Sequence, residues 1–147
     1  MIIRFSKSFV LPIETIFDYF ASPEGWVRLY GFGGDPRPLG DGWHEVPLRR
    51  FPFPLTTRIT ACEKFTLVRW SYQGFWRGDG EVRFAERDGR TYVSGIEEIS
   101  IRWLAGASRI VERLFMEQPF RDLWELGWRR LRQQETQCPA TTVPGRP

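Results

Sequence analysis

EVRFAERDGRTYVSGIEEISIR, residues 81–102, is the stretch that decides the fold. Val82 and Phe84 alternate with Glu81 and Arg83, then Arg87-Asp88-Gly89-Arg90 interrupts, then Val93, Gly95, Glu97, Ile99 and Ile101 recur at every second residue. A period of two belongs to a strand with one face buried. An Asp-Gly pair between two such runs supplies the positive φ angles of a tight hairpin. Residues 81–86 and 91–102 therefore form a hairpin, and strands joined by short turns must be antiparallel. One member of the inward row, Glu97, is a carboxylate among apolar neighbours, which is costly unless it is paired.

Upstream, three more alternating runs extend the sheet. Thr66 to Gln73 places Val68, Trp70 and Tyr72 on one face; Leu55 to Cys62 turns Leu55, Ile59 and Ala61 inward; Gly42 to Arg50 sets His44, Val46 and Leu48 on its more apolar side. The chain opens on a sixth strand, Ile2 to Val10, with Ile3, Phe5, Lys7 and Phe9 on one face. Pro12 then suits a first helical turn, and Ile13, Ile16, Phe17 and Phe20 follow at helical spacing. Ser22-Pro23 ends that helix, and Trp26 to Tyr30 begins a second before the glycines at 31, 33 and 34 break it.

Downstream, a helix from about Ser108 to Glu135 carries Leu114, Phe115, Phe120, Leu123, Trp124, Trp128 and Leu131 at steps of three and four. Glu117, Arg121, Glu125 and Arg129 form a charge ladder on its other side. Pro119 predicts a kink there or two abutting helices. The expected architecture is α+β: a curved antiparallel sheet of about six strands, in β-α-α-β5-α order, closed by one long C-terminal helix. Residues 1–136 are expected to make one domain and residues 137–147 a loosely ordered tail.

Composition narrows the function classes. The 147 residues carry a net charge of +3 with the signs interspersed, and no basic stripe suggests nucleic acid. A single histidine excludes a multi-histidine metal site, so neither a metal nor a cofactor is expected. No run nears the roughly 20 apolar residues of a membrane span, the first residues lack a leader pattern, and Cys62 and Cys138 are unsuited to a disulfide. A cytoplasmic setting is the expectation, with Cys62 packing as a small hydrophobe. Seven Trp and twelve Phe exceed what a minimal core of this size needs, so they either pack densely or line a cavity.

Several local patterns, in order, resemble the START-like (helix-grip) superfamily and, within it, bacterial ligand-binding domains related to polyketide cyclases and dehydrases. They are the first strand running into VLPIETIFDYFASPEGW, then GDGWHEV, DGRTYVSGIEEI, and finally FRDLWELGWRRLRQQ. The resemblance covers residues 1–135 and implies an apolar cavity between sheet and C-terminal helix. It also implies a hydrophobic or amphipathic guest held by a carrier or sensor. A cyclase- or dehydratase-like enzyme and a protein-interaction module are the alternatives that fold leaves open.

The candidate lining residues are Trp70, Tyr72, Trp76, Phe115, Met116, Phe120 and Trp124, each of which serves equally as plain core. Lys7, His44 and Glu97 are the candidate polar anchors. If Ile3 aligns with Ile101, Lys7 falls opposite Glu97 as an ion pair. No catalytic constellation emerges, and the oligomeric state is left open.

Overall fold

The computed structural model describes residues 1–31, 34–49, 51, 53–101, 110 and 117–137. In chain order these form β1 (Ile2–Phe9), α1 (Ile13–Phe20), α2 (Pro23–Tyr30), β2 (Arg37–Gly40), β3 (Trp43–Val46), β4 (Leu55–Glu63), β5 (Leu67–Gln73), β6 (Trp76–Arg87), β7 (Arg90–Ile101) and α3 (Glu117–Gln137). The strands make one antiparallel sheet in the order β1-β7-β6-β5-β4-β3-β2. The sheet thus has seven strands where the alternation suggested about six.

The hairpin at 81–102 closes on the turn its sequence demands: Asp88 and Gly89 have φ of 52° and 71°, and Arg87 pairs with Arg90. The extra strand comes from a second Asp-Gly turn. Asp41 and Gly42 have φ of 52° and 77°, and they fold Arg37–Gly40 back onto Trp43–Val46 as an edge hairpin. Pro47, with no N–H to give the ladder, follows the end of β3 well before Arg50. In β4 a bulge between Ile59 and Ala61 shifts the register, so Ala61 pairs with Arg69 and takes its outward side instead of the inward one expected. Cys62, one residue on, is exposed rather than packed.

The helices cover the inner face. Ser22 caps α2 by accepting the amide of Gly25 at 3.1 Å, and Gly31 closes it in the left-handed conformation. Gly127 of α3 meets Tyr30 of α2 so closely that a Cβ there would lie 2.7 Å from the Tyr30 ring. Arg130 ties the same two helices, donating from Nη1 to the carbonyls of Arg28 and Leu29 at 2.8 and 3.0 Å. On α3 the row Phe120, Gly127, Trp124, Trp128 and Leu131 is buried, as its spacing requires. Pro119 falls in the first turn of the described helix, and the segment before Glu117 that would decide a kink or a split lies outside the described residues, as does the tail from Cys138.

A candidate small-molecule site beneath the C-terminal helix

Glu97 does face inward. It is only 3% exposed, and the sheet register explains what surrounds it. Trp70 of β5 pairs with Gly80 of β6, and Gly80 pairs with Glu97 of β7, so the three stand in one cross-strand row on one face. Gly80 leaves the middle of that row empty. A Cβ there would lie 2.2 Å from the Trp70 ring, so the indole lies across the gap that glycine alone provides.

That gap lets a hydrogen-bond chain form. Trp70 Nε1–H donates to the Tyr72 hydroxyl at 2.7 Å, and the Tyr72 hydroxyl donates to Glu97 Oε1. From the opposite side, Trp124 Nε1–H of α3 donates to Glu97 Oε2 at 2.6 Å. Both carboxyl oxygens are thereby satisfied without a cationic partner, and no buried side-chain polar atom lacks a hydrogen bond among the described residues. Burial pushes the Glu97 carboxyl above its usual range, against the opposing pull of the donors from Tyr72, Trp124 and Trp70. Burial, and next to it the charge of Glu97, pushes the hydroxyls of Tyr72 and Tyr30 well up. The chemistry on offer is a buried carboxyl that can hold or release a proton beside a neutral phenol.

A cavity of about 40 Å³ opens beside this cluster. Its polar lining is Glu97, Tyr72 and Tyr30; its apolar walls are Phe20, Trp26, Leu48, Leu55, Trp70, Phe120, Leu123 and Trp124. That volume admits roughly two or three waters. A larger guest must displace side chains, and Leu123, which is only partly buried, is the least constrained of the described lining residues. Among the described residues no group of His, Cys, Asp and Glu is arranged to hold a metal ion.

No protein-family model matches the chain, and no curated protein matches it in sequence. Solved structures do match it in shape. The Zhui aromatase/cyclase from Streptomyces sp. R1128 superposes with a TM-score of 0.72 at 10% identity, over 97% of this chain and 98% of that one. A START superfamily protein from Mycobacterium smegmatis gives 0.67 at 9% identity, over 92% and 97%. An HSP90 activator from Plasmodium falciparum gives 0.55 at 17% identity, over 77% and 84%. The chain has the START-like, helix-grip fold that these structures share. Identities this low carry the fold and not the chemistry.

Within this START-like grip, Trp70, Tyr72, Glu97, Phe120 and Trp124 come together around one cavity. Phe115 and Met116 lie outside the described residues. The other three candidates stand elsewhere. Glu97 pairs with Ile3, and Lys7 pairs with Val93. Lys7 is therefore four residues along the strand from Glu97, about 13 Å, and the expected ion pair does not form. It is half-buried in a separate groove beside Arg121, Asp122 and Glu125 of α3. His44 sits two strands away from Tyr72 in the same cross-strand row, about 10 Å, with Nδ1 3.1 Å from the Gly42 carbonyl. Trp76 is buried behind the cavity: its ring meets Phe51 and Phe120 at 5.1 and 5.3 Å, and its Nε1–H donates to the Phe53 carbonyl at 3.4 Å.

Six lining residues were not among the candidates: Phe20, Leu48, Leu55 and Leu123, which the spacing marks only as core, and Trp26 and Tyr30. The signal of the last two was present: they lie four apart on a short helix opened by Ser22-Pro23, so both face the same way. Gly78 and Gly80, in the run WRGDGE at residues 76–81, were the other missed signal. Two glycines on one face of a strand mark where neighbouring side chains reach across it.

Proposed function

We propose that this protein binds a small amphipathic molecule between the sheet and α3, as a carrier or sensor, with Tyr72 and Glu97 as the polar anchor. The observation that carries this reading is Glu97 itself. A carboxyl group 3% exposed, held by one indole and one phenol donor and by no cation among the described residues, is an expensive feature for a core that needed only packing. Its place in the wall of an otherwise aromatic cavity gives that expense a purpose, which is to orient a guest whose body is apolar. Binding then proceeds by outward movement of Phe120 and Leu123, replacing their contacts with those of the guest.

Native mass spectrometry of the purified protein, followed by extraction and identification of what it releases, tests the reading. An amphipathic molecule released on denaturation, and lost from Glu97→Gln protein, is the expected result. Repeated recovery of empty protein, with no change in tryptophan fluorescence across a panel of aromatic and aliphatic amphiphiles, refutes it.

The proton-holding carboxyl also favours a second reading, a cyclase- or dehydratase-like enzyme acting on a polyketide-type substrate. Glu97, with its affinity for a proton raised by burial, would act there as acid or base. Turnover of a poly-β-keto thioester mimic that disappears in Glu97→Gln separates enzyme from carrier; unchanged turnover in that variant removes Glu97 from the chemistry.

A further inference from the structure

A second, larger concavity of about 470 Å³ adjoins the Glu97 cavity, and the two share Tyr30, Leu48 and Leu123 as common walls. Those three side chains are thus a partition, with the aromatic cavity on one side and an open groove between α2 and α3 on the other. The groove is basic. Arg49, Arg129 and Arg130 line it against a single carboxylate, Asp122.

The three guanidinium groups are not equivalent. Arg130 is occupied in holding the end of α2. Asp122 is occupied too, accepting from the Gln118 amide at 2.9 Å among its interactions. Arg129 is exposed, and its one hydrogen bond among the described residues, from Nε to the Glu125 carbonyl of its own helix, is long at 3.4 Å. Arg49 is exposed with no hydrogen-bond or ion-pair partner among the described residues. Among the described residues two forked, permanently charged donors are therefore free on the groove side of the partition, and Glu97 and Tyr72 lie on its other side.

We infer that the guest is an organic acid, whose carboxylate stays in the groove at Arg49 and Arg129 while its apolar body passes Tyr30, Leu48 and Leu123 into the Glu97 cavity. This rests on the binding reading above and adds the guest's charge and direction. The inner end offers an anion no cationic side chain among the described residues, whereas the outer end offers two arginines, so only one orientation is favourable. A cation meets the reverse arrangement and is excluded at the entrance.

Calorimetric titration with three ligands of one shape tests the inference: 2-naphthoate, the neutral ketone 2-acetylnaphthalene, and protonated 2-(aminomethyl)naphthalene. The wild-type protein should bind the carboxylate at least about tenfold more tightly than the ketone, and the ammonium compound most weakly. In Arg49→Ala/Arg129→Ala protein, with circular dichroism matching wild type, the carboxylate and ketone should come within about twofold of each other while ketone affinity holds. The charge reversal Arg49→Glu/Arg129→Glu should move the preference to the ammonium compound. A carboxylate preference that survives both double variants, or wild-type preference for the ketone or ammonium, overturns the inference and leaves the pocket standing. Binding of none of the three brings down the pocket reading and the inference together.

Discussion

The two halves of α3 lie on the same sheet and follow the same three-and-four spacing, yet they do opposite things. Toward its C-terminal end Trp128 stacks among Phe5, Phe9 and Phe20 at centroid distances of 5.2, 6.0 and 6.2 Å, and Leu131 is fully buried beyond it. That end is solid. One turn earlier Trp124 has the same kind of neighbours, Phe5 at 4.4 Å and Phe20 at 6.2 Å, but its indole N–H is given to Glu97 and a cavity opens beside it. The difference lies in the strands beneath. Phe5 and Phe9 of β1 meet Trp128 at the solid end, whereas Tyr72 and Glu97 of the strands beneath line the hollow one. A surplus of aromatic residues therefore does not itself make a pocket. Here the cavity lies where a buried acid and the phenols beside it interrupt the aromatic layer.

The largest expected effect breaks the solid end. Trp128→Ala should cost about 3–5 kcal/mol of unfolding free energy in urea titrations, the usual penalty for emptying an aromatic site in a close-packed core. A loss below about 1 kcal/mol would mean that this end is not solid. Next comes the hollow end. Gly80→Ala puts a methyl group where the Trp70 ring lies and should cost about 1–3 kcal/mol by overpacking. It should also shift the Trp70 indole N–H resonance as its bond to Tyr72 is broken. An unmoved resonance would argue against the glycine gap.

The third prediction concerns pH. Because the folded carboxyl of Glu97 sits above the unfolded value of 4.5, the folded state retains a proton that the unfolded state releases as pH rises past 4.5. Its contribution is therefore full below the unfolded value, and stability is lost as pH rises through the raised folded value. Unfolding free energy of wild type minus that of Glu97→Gln should fall with pH above about 4.5; a difference that stays flat or rises would contradict the assignment of burial as the dominant cause. The smallest effect sharpens the boundary of the site. His44→Ala should change stability by no more than about 0.5 kcal/mol and leave ligand affinity unaltered, since the ring lies two strands from the Tyr72 hydroxyl.

Much of this layout was legible in residue order. The alternation at 91–101 gave the inward row with Glu97 in it, and the Asp88-Gly89 pair gave the turn. The same Asp-Gly signal at 41–42 marked an edge hairpin as well, but RPLG, residues 37–40, has no alternation to announce a strand. An edge strand whose residues are all exposed carries no burial pattern to read.

Apart from the bulge in β4, which turned Ala61 outward, the sequence by itself determined which side chains face inward, because a period of two or of three and four depends only on local backbone geometry. It thereby determined that one acid would be buried. Which groups meet that acid was decided by tertiary structure alone. Register places Ile3 beside Glu97 and moves Lys7 away. Sheet order carries His44 off to the side. The packing of α3 over the Gly80 gap delivers Trp124 to the second carboxyl oxygen. Each of these depends on how distant segments slide past one another, and a slide of two residues along a strand leaves every inward pattern unchanged while replacing every partner.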